Sequence, residues 1–198
     1  MLLASSWRSG ARLKVALALL LVLLGAAAGA LLLGSVNARK AAAAGDPIYM
    51  QYGTVQGDVT ASGYEHWIEL NSFQFGVTTP IDQATGAVAG HPQLSNVKVT
   101  KGFDSASPFL FRDSLSGTGT PVTIDFLKVS NGILVKYLEY KLEHVLITSY
   151  SVSSGGDRPS ESLALDFSKI TMTSYNQNQD GTVSTVVVCW DRAANASC

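Results

Sequence analysis

The chain has 198 residues, is 46% hydrophobic and 15% charged, and carries a formal net charge of −1, which excludes a disordered chain and leaves room for one ordinary domain plus a short extra segment. Residues 1–44 hold five basic residues and no acidic one, so the remainder sets nine Lys+Arg against fifteen Asp+Glu, a net of −6. Such a domain lacks the clustered cations that grip phosphates, which excludes nucleic acid as a partner.

The first segment is apolar. Val15 to Gly34 is twenty residues without a charge, preceded by Arg8, Arg12 and Lys14, followed by Arg39 and Lys40, and then by AAAAGDP from Ala41. A basic start, an apolar core and small residues predict a secretory signal peptide cleaved near Ala43 or Ala44. The run is also long enough to span a bilayer, which takes about 20 helical residues. The alternative is therefore an uncleaved signal anchor, with residues 15–34 as the only membrane contact. Either reading carries residues 45–198 across a membrane, so the expected location is periplasmic or secreted, or anchored to the inner membrane. The expected domains are 1–44 as signal or anchor and 45–198 as the folded part.

From Ile48 onward the chain reads as β-structure. Ile48–Tyr52 is a short strand, Glu65–Val77 (EHWIELNSFQFGV) an aromatic-rich one, and Val97–Phe103 another. Thr78–Leu94 (TTPIDQATGAVAGHPQL) shows no regular pattern and is too long for an idle loop in a compact domain. Ser105–Leu115 predicts the one helix, with Ser107 as N-cap, Pro108 in the first helical position, Gly117 as the stop, and Phe109, Leu110 or Leu115 packed on the sheet. Val122, Ile124 and Phe126 alternate with Thr123 and Asp125 up to the hairpin turn Asn131-Gly132. In the long strand that follows, Leu138, Tyr140, Leu142 and Leu146 take one face, and Tyr137, Glu139, Lys141 and Glu143 the other. Leu163–Tyr175 and Val183–Trp190 form the last pair, with Asp180-Gly181 in the turn. A phase slip between Phe167 and Ile170 predicts a β-bulge near Ser168 or Lys169.

Residues able to do chemistry are scattered. His66, His91 and His144 lack metal-ligand spacing; His144 falls on the inward parity of its strand and is expected in the core, and His91 is expected in solvent. No G-x-S-x-G elbow is present, and SGTGT at Ser116–Thr120 lacks the lysine and helix of a phosphate loop, so it reads as a turn. Asp157 and Glu161, four apart in a loop, form either an acid pair or ordinary loop solvation. No catalytic, cofactor-binding or metal-binding residue is assigned, and nothing argues for an enzyme. Cys189 and Cys198 allow a disulfide, with a buried free thiol at Cys189 as the alternative.

Taken in order, the motifs resemble the Hcp family (haemolysin-coregulated protein), the tube protein of type VI secretion systems. GYEHWIELNSFQFGV is similar to the family's second strand, with its aromatic-x-aromatic-Gly ending at Phe73-Gln-Phe-Gly76. VKVTKGFDSASPFLF matches its strand, Lys-x-x-Asp-x-x-(Ser/Thr)-Pro turn and short helix. VKYLEYKLEHVLITSYSVSSGGDRPSESLALDFSKI matches its long strand, Val-x-Ser-Gly-Gly loop and following strand, and DGTVSTVVVCWDRAAN its closing strand. The resemblance implies a small β-barrel of two sheets with one short α-helix, and homohexameric rings that stack into a tube. Type VI spike or effector proteins are the other implied partners. The expected function is a ring-forming tube subunit or a secreted effector or carrier; the alternative is an exported monomeric or membrane-anchored binding module with no secretion-tube role. It implies that Thr78–Leu94 is an arm reaching a neighbouring ring, with Thr78, Thr79, Pro80, Gly90, His91 and Pro92 in the contact. It also implies that SSGGDRPSES is a joint, with Asp157, Arg158 and Glu161 as subunit or ring contacts. Tube proteins of the family usually lack an export signal, and the apolar start of this chain departs from them.

Overall fold

A computed structural model describes residues 45–178 and 181–198; the apolar segment 15–34 and its expected cleavage site lie outside the described residues. The described strands in chain order are β1 (Ile48–Tyr52), β2 (Ile68–Leu70), β3 (Ser72–Gln74), β4 (Val77–Thr78), β5 (Gln93–Leu94), β6 (Val97–Gly102), β7 (Thr120–Ser130), β8 (Ile133–Ser153), β9 (Ser160–Asp166), β10 (Lys169–Gln177), β11 (Val183–Asp191) and β12 (Ala196–Ser197). The one described helix, α1 (Ser107–Ser116), lies between β6 and β7. Among the described residues no helix is long and apolar enough to cross a membrane.

The antiparallel pairings make a closed circuit. β2 pairs β1, β1 pairs β7, β7 pairs β8, β8 pairs β9, β9 pairs β6, and β6 pairs β3. β2 and β3 are one stretch of chain that turns a corner at Asn71, whose N–H donates to the Thr100 carbonyl at 2.7 Å. Closure removes the exposed edges that two open sheets would leave. The single strand expected over Glu65–Val77 is therefore cut into β2, β3 and β4, because a barrel of short strands needs corners where an open sheet does not.

β8 serves both sheets. Leu138–Glu143 pairs with β10, and Leu146–Ser153 pairs with β9. The changeover falls at His144, which takes φ 53° and supplies the extra residue between the pairs Val122↔Leu142 and Thr120↔Val145. That insertion inverts the facing of the residues just after it, so Val145 and Ile147 are buried rather than Leu146, until a second register shift between Ile147 and Ser149 turns Tyr150 back to the core. His144 itself is exposed, not a core residue as expected. A Cβ on Gly119 would lie 2.3 Å from its Nδ1, so glycine there makes room for the ring.

The partner chain bends at the same level. Where the phase slip predicts a bulge, at Ser168 or Lys169, β9 ends and β10 begins. Ser168 donates to the Glu143 carbonyl at 3.0 Å through its N–H, and the chain leaves one sheet for the other. The phase slip is this corner: Leu163, Leu165 and Phe167 before it and Ile170 after it all reach one core.

That core also takes Met50, Tyr52, Ile68, Val97, Val99, Ile124 and Leu142 from the strands and Leu110 from α1. Of Phe109, Leu110 and Leu115, the alternatives expected to pack on the sheet, Leu110 is the one buried; Phe109 and Leu115 are exposed. Ser107 is not the cap. Asp104 holds the helix start: its Oδ1 accepts from the Ala106 N–H at 3.0 Å, and its carbonyl accepts from the Ser107 N–H at 3.1 Å. Gly117 closes the helix in the left-handed region at φ 63°.

Candidate functional site

Two features project from opposite ends of β6. At its Val97 end, β4 and β5 pair through Val77↔Leu94 and Thr78↔Gln93, and Ile81 bridges Val88. Asp82 makes the tip: its Oδ1 accepts from the Ala84 and Thr85 N–H groups at 2.8 and 3.0 Å. The stretch expected to be patternless is thus a hairpin arm. The pattern hid because its ladder is short and two-sided, with Val77, Ile81 and Val88 all exposed. Thr78, Thr79 and Pro80 form one limb and Gly90, His91 and Pro92 the other, tied by the Ala89 N–H to the Pro80 carbonyl at 2.9 Å.

At the Gly102 end lies the loop 154–159. Gly156 at φ 113° lets the chain reverse, and Asp157 and Arg158 are exposed at its tip. β6 has six residues, so at roughly 3.3 Å per residue the arm and this loop stand about 20 Å apart. The structure groups the six arm residues together and places Asp157 and Arg158 at the other end.

Glu161 belongs to neither. It shares the inward parity of Leu163 and Leu165, and it is 1% exposed. Its Oε2 meets the Lys101 Nζ at 2.6 Å and accepts from the Ser107 hydroxyl at 2.7 Å, while the Tyr150 hydroxyl donates to its Oε1. Lys101, with no exposed surface, also donates to the Asp104 Oδ1 at 2.7 Å and the Gly102 carbonyl at 2.8 Å. This carboxylate is spent inside the barrel, where it ties β6 and β9 to the start of α1, and it is not free to meet another subunit. Sequence parity could have shown it, since Lys101 follows Val97 and Val99 at intervals of two.

A second polar network lies on the outer side of the β7–β8 hairpin. Lys136 bridges Asp125 at 3.1 Å and Glu139 at 2.6 Å, and the Tyr64 hydroxyl donates to Asp125 at 3.1 Å. Burial pushes the Asp125 carboxyl up, beyond what Lys136 and Tyr64 recover. Burial also pushes Glu139 and Glu161 upward, but hydrogen bonds from Lys136 and from Lys101, Tyr150 and Ser107 outweigh it and hold both below the usual glutamate range.

The sign of the acid response follows. A carboxyl with a lowered folded value stabilises the fold above its unfolded pKa, about 4.3 for glutamate, and that stability is lost as pH falls through the folded value. Asp125 acts in the opposite sense. Urea midpoints measured from about pH 6 down to about pH 3 will therefore fall below about pH 4.3, and Glu161→Gln will flatten that fall. An equal fall in the variant contradicts the assignment.

The third feature is β11. It pairs β10 along its whole length from Val183 to Asp191. On its other side β12 covers only Trp190 and Asp191, and no strand among the described residues covers Val183–Val188. Val183, Val186, Val187 and Val188 are each more than half exposed. Sequence reasoning misses this surface, although TVSTVVVCW lacks the alternation of a strand with one wet face. Next to it, Phe75, Val77, Leu94, Met172, Val188 and Trp190 line an apolar groove of about 380 Å³. Cys189 and Cys198 are joined by a disulfide, with Cα atoms 5.4 Å apart. Among the described residues no three or more His, Cys, Asp or Glu side chains gather to hold a metal.

Known proteins share this architecture. The family described as "Type VI secretion system effector, Hcp" matches residues 49–174. A solved type six secretion system protein is 24% identical, with a TM-score of 0.70 over 78% of this chain and 100% of its own. Hcp1 from Salmonella typhimurium is 21% identical, with a TM-score of 0.63 over 77% of this chain and 98% of its own. An Hcp1 variant from the E. coli EAEC 042 pathovar is 23% identical, with a TM-score of 0.61 over 72% and 98%. No curated protein matches the chain. The closed barrel, the side helix and the ordered motifs of the sequence have one common reading: the chain belongs to the Hcp family of type VI secretion system effectors.

Proposed function

We propose that this type VI secretion Hcp-like protein is a non-enzymatic structural subunit that forms closed rings with copies of itself, the rings stacking end to end. The observation that carries the reading is the arrangement of unpaired surface. The free edge of β11 is a lateral pairing surface, and the arm and the 154–159 loop stand at the two ends of the barrel. A head-to-tail contact repeated around an axis closes a ring, and a strand edge gives that contact its backbone hydrogen bonds. Thr78–Pro80 and Gly90–Pro92 then meet the next ring, where Asp157 and Arg158 offer polar partners. In this reading the chain is exported by its N-terminal segment, and its part is to carry or accompany secreted proteins.

Electron microscopy of residues 45–198 tests it directly. End-on views showing rings with a central channel are expected; a field of separate barrels at high protein concentration overturns the reading. Replacing residues 79–91 by a two-residue turn is expected to leave single rings and the folded barrel but to abolish stacks. Stacks of normal length in that variant would remove the arm from the contact.

A further inference from the structure

We propose that the Cys189–Cys198 disulfide is a redox-operated latch that sets how much of the β11 edge is free. The inference rests on the reading of that edge as a self-contact and adds its regulation.

The chain past β11 is held in two unequal parts. Arg192 is fixed to the barrel: its N–H donates to the Ser168 carbonyl at 2.9 Å, its guanidinium pairs with Asp166 and donates to the Phe167 carbonyl at 2.9 Å, and it lies 5.1 Å over the Phe167 ring. Ala193 and Ala194 close a turn on the Asp191 carboxylate at 2.9 and 3.0 Å. Beyond it nothing is buried. Ala196, Ser197 and Cys198 are exposed, and they rest on the two-residue pairing with Trp190 and Asp191, a 3.4 Å contact from the Cys198 N–H to the Cys189 carbonyl, and the covalent bond. A two-residue strand with no buried side chain opens easily when backbone pairing alone holds it. The disulfide therefore keeps β12 in place.

The bond is open to exchange, because Cys198 is exposed while Cys189 is half-buried. A small thiol or dithiol attacks as thiolate at the Cys198 sulfur and expels the Cys189 thiolate, which takes a proton. A second thiol then resolves the mixed disulfide and releases Cys198 as a thiol. Two thiols lose two electrons and two protons and leave as one disulfide, and the protein gains two Cys–SH groups. With β12 released, the free edge grows from the six residues Val183–Val188 to the nine of the whole strand. The oxidised chain has the shorter edge and the weaker self-contact; the reduced chain has the longer edge and the stronger one.

The test uses the full chain and residues 45–198, each oxidised, reduced with dithiothreitol, and as Cys198→Ser. Hydrogen exchange in peptides covering 189–198 is expected to run at least roughly tenfold faster in the reduced form and in the Cys198→Ser variant, with β8 and β9 unchanged. Equal exchange in all three forms, or a chain whose intact mass shows two thiols after purification under air, overturns the latch. The concentration at half-assembly, by light scattering, is expected to fall at least roughly threefold on reduction. Faster exchange with unchanged assembly overturns the coupling. Faster exchange with a monomer in every form leaves the latch standing and overturns the ring reading, so the two failures are separable.

Discussion

Lys101→Met will lower the unfolding free energy by about 3–5 kcal/mol, the usual cost of removing one partner of a buried ion pair. The variant leaves the Glu161 carboxylate inside the barrel, still bonded to Ser107 and Tyr150 but without a counter-charge. The cost comes from that stranded charge, since the intact pair itself contributes little net stability once its desolvation is counted. Adding Glu161→Gln should then recover at least half of the loss, because the amide keeps a hydrogen-bonding oxygen without the charge. Lys169→Met is the comparison. Its partner Glu143 is 60% exposed, so water screens what is left behind and the loss should be under about 1 kcal/mol. Guanidinium midpoints of the three variants decide this. A Lys101→Met midpoint equal to that of Lys169→Met would contradict the inward placement.

Lysine at both Val186 and Val187 will raise the concentration needed for half-assembly roughly 100-fold, a change of about 2.7 kcal/mol. These neighbours point to opposite faces of β11, and each is more than half exposed. The pair of charges guards the strand edge from either side, as natural edge strands are guarded. The isolated barrel should lose under about 0.5 kcal/mol, because exposed positions contribute little to its core. Light scattering across a concentration series reads the first effect and a urea midpoint the second. Assembly unchanged by two lysines would take the edge of β11 out of the contact.

Much of the architecture is legible in the sequence because it rests on period two and on turn chemistry. Ile48–Tyr52, Val97–Gly102 and the Asn131-Gly132 turn are where alternation and glycine placement put them. What escapes is what non-local closure decides. Counting in twos gives His144 the inward face, and one inserted residue reverses the count. Phe167–Ile170 shows the slip but not whether it is a bulge or a corner, because both shift parity by one and only the β10 partner tells them apart. Glu161 lies in a polar loop by composition, yet its pairing opposite Lys101 in the β6–β9 register puts it inside. The length of Thr78–Leu94 marks it as more than an idle loop but does not show its hairpin, since exposed valines on both faces leave no alternation to read. Among the described strands of more than five residues, β11 alone has no buried residue, and a run of valines reads alike whether a core or another chain buries it.

The mass of residues 45–198 in solution, by light scattering after size exclusion, decides whether the barrels close into rings. A mass near six subunits is expected, set by a closed head-to-tail contact and reduced to one subunit by lysines at Val186 and Val187. A single subunit at high concentration, oxidised and reduced alike, would contradict it and leave an exported Hcp-like barrel that binds its partner without forming a ring.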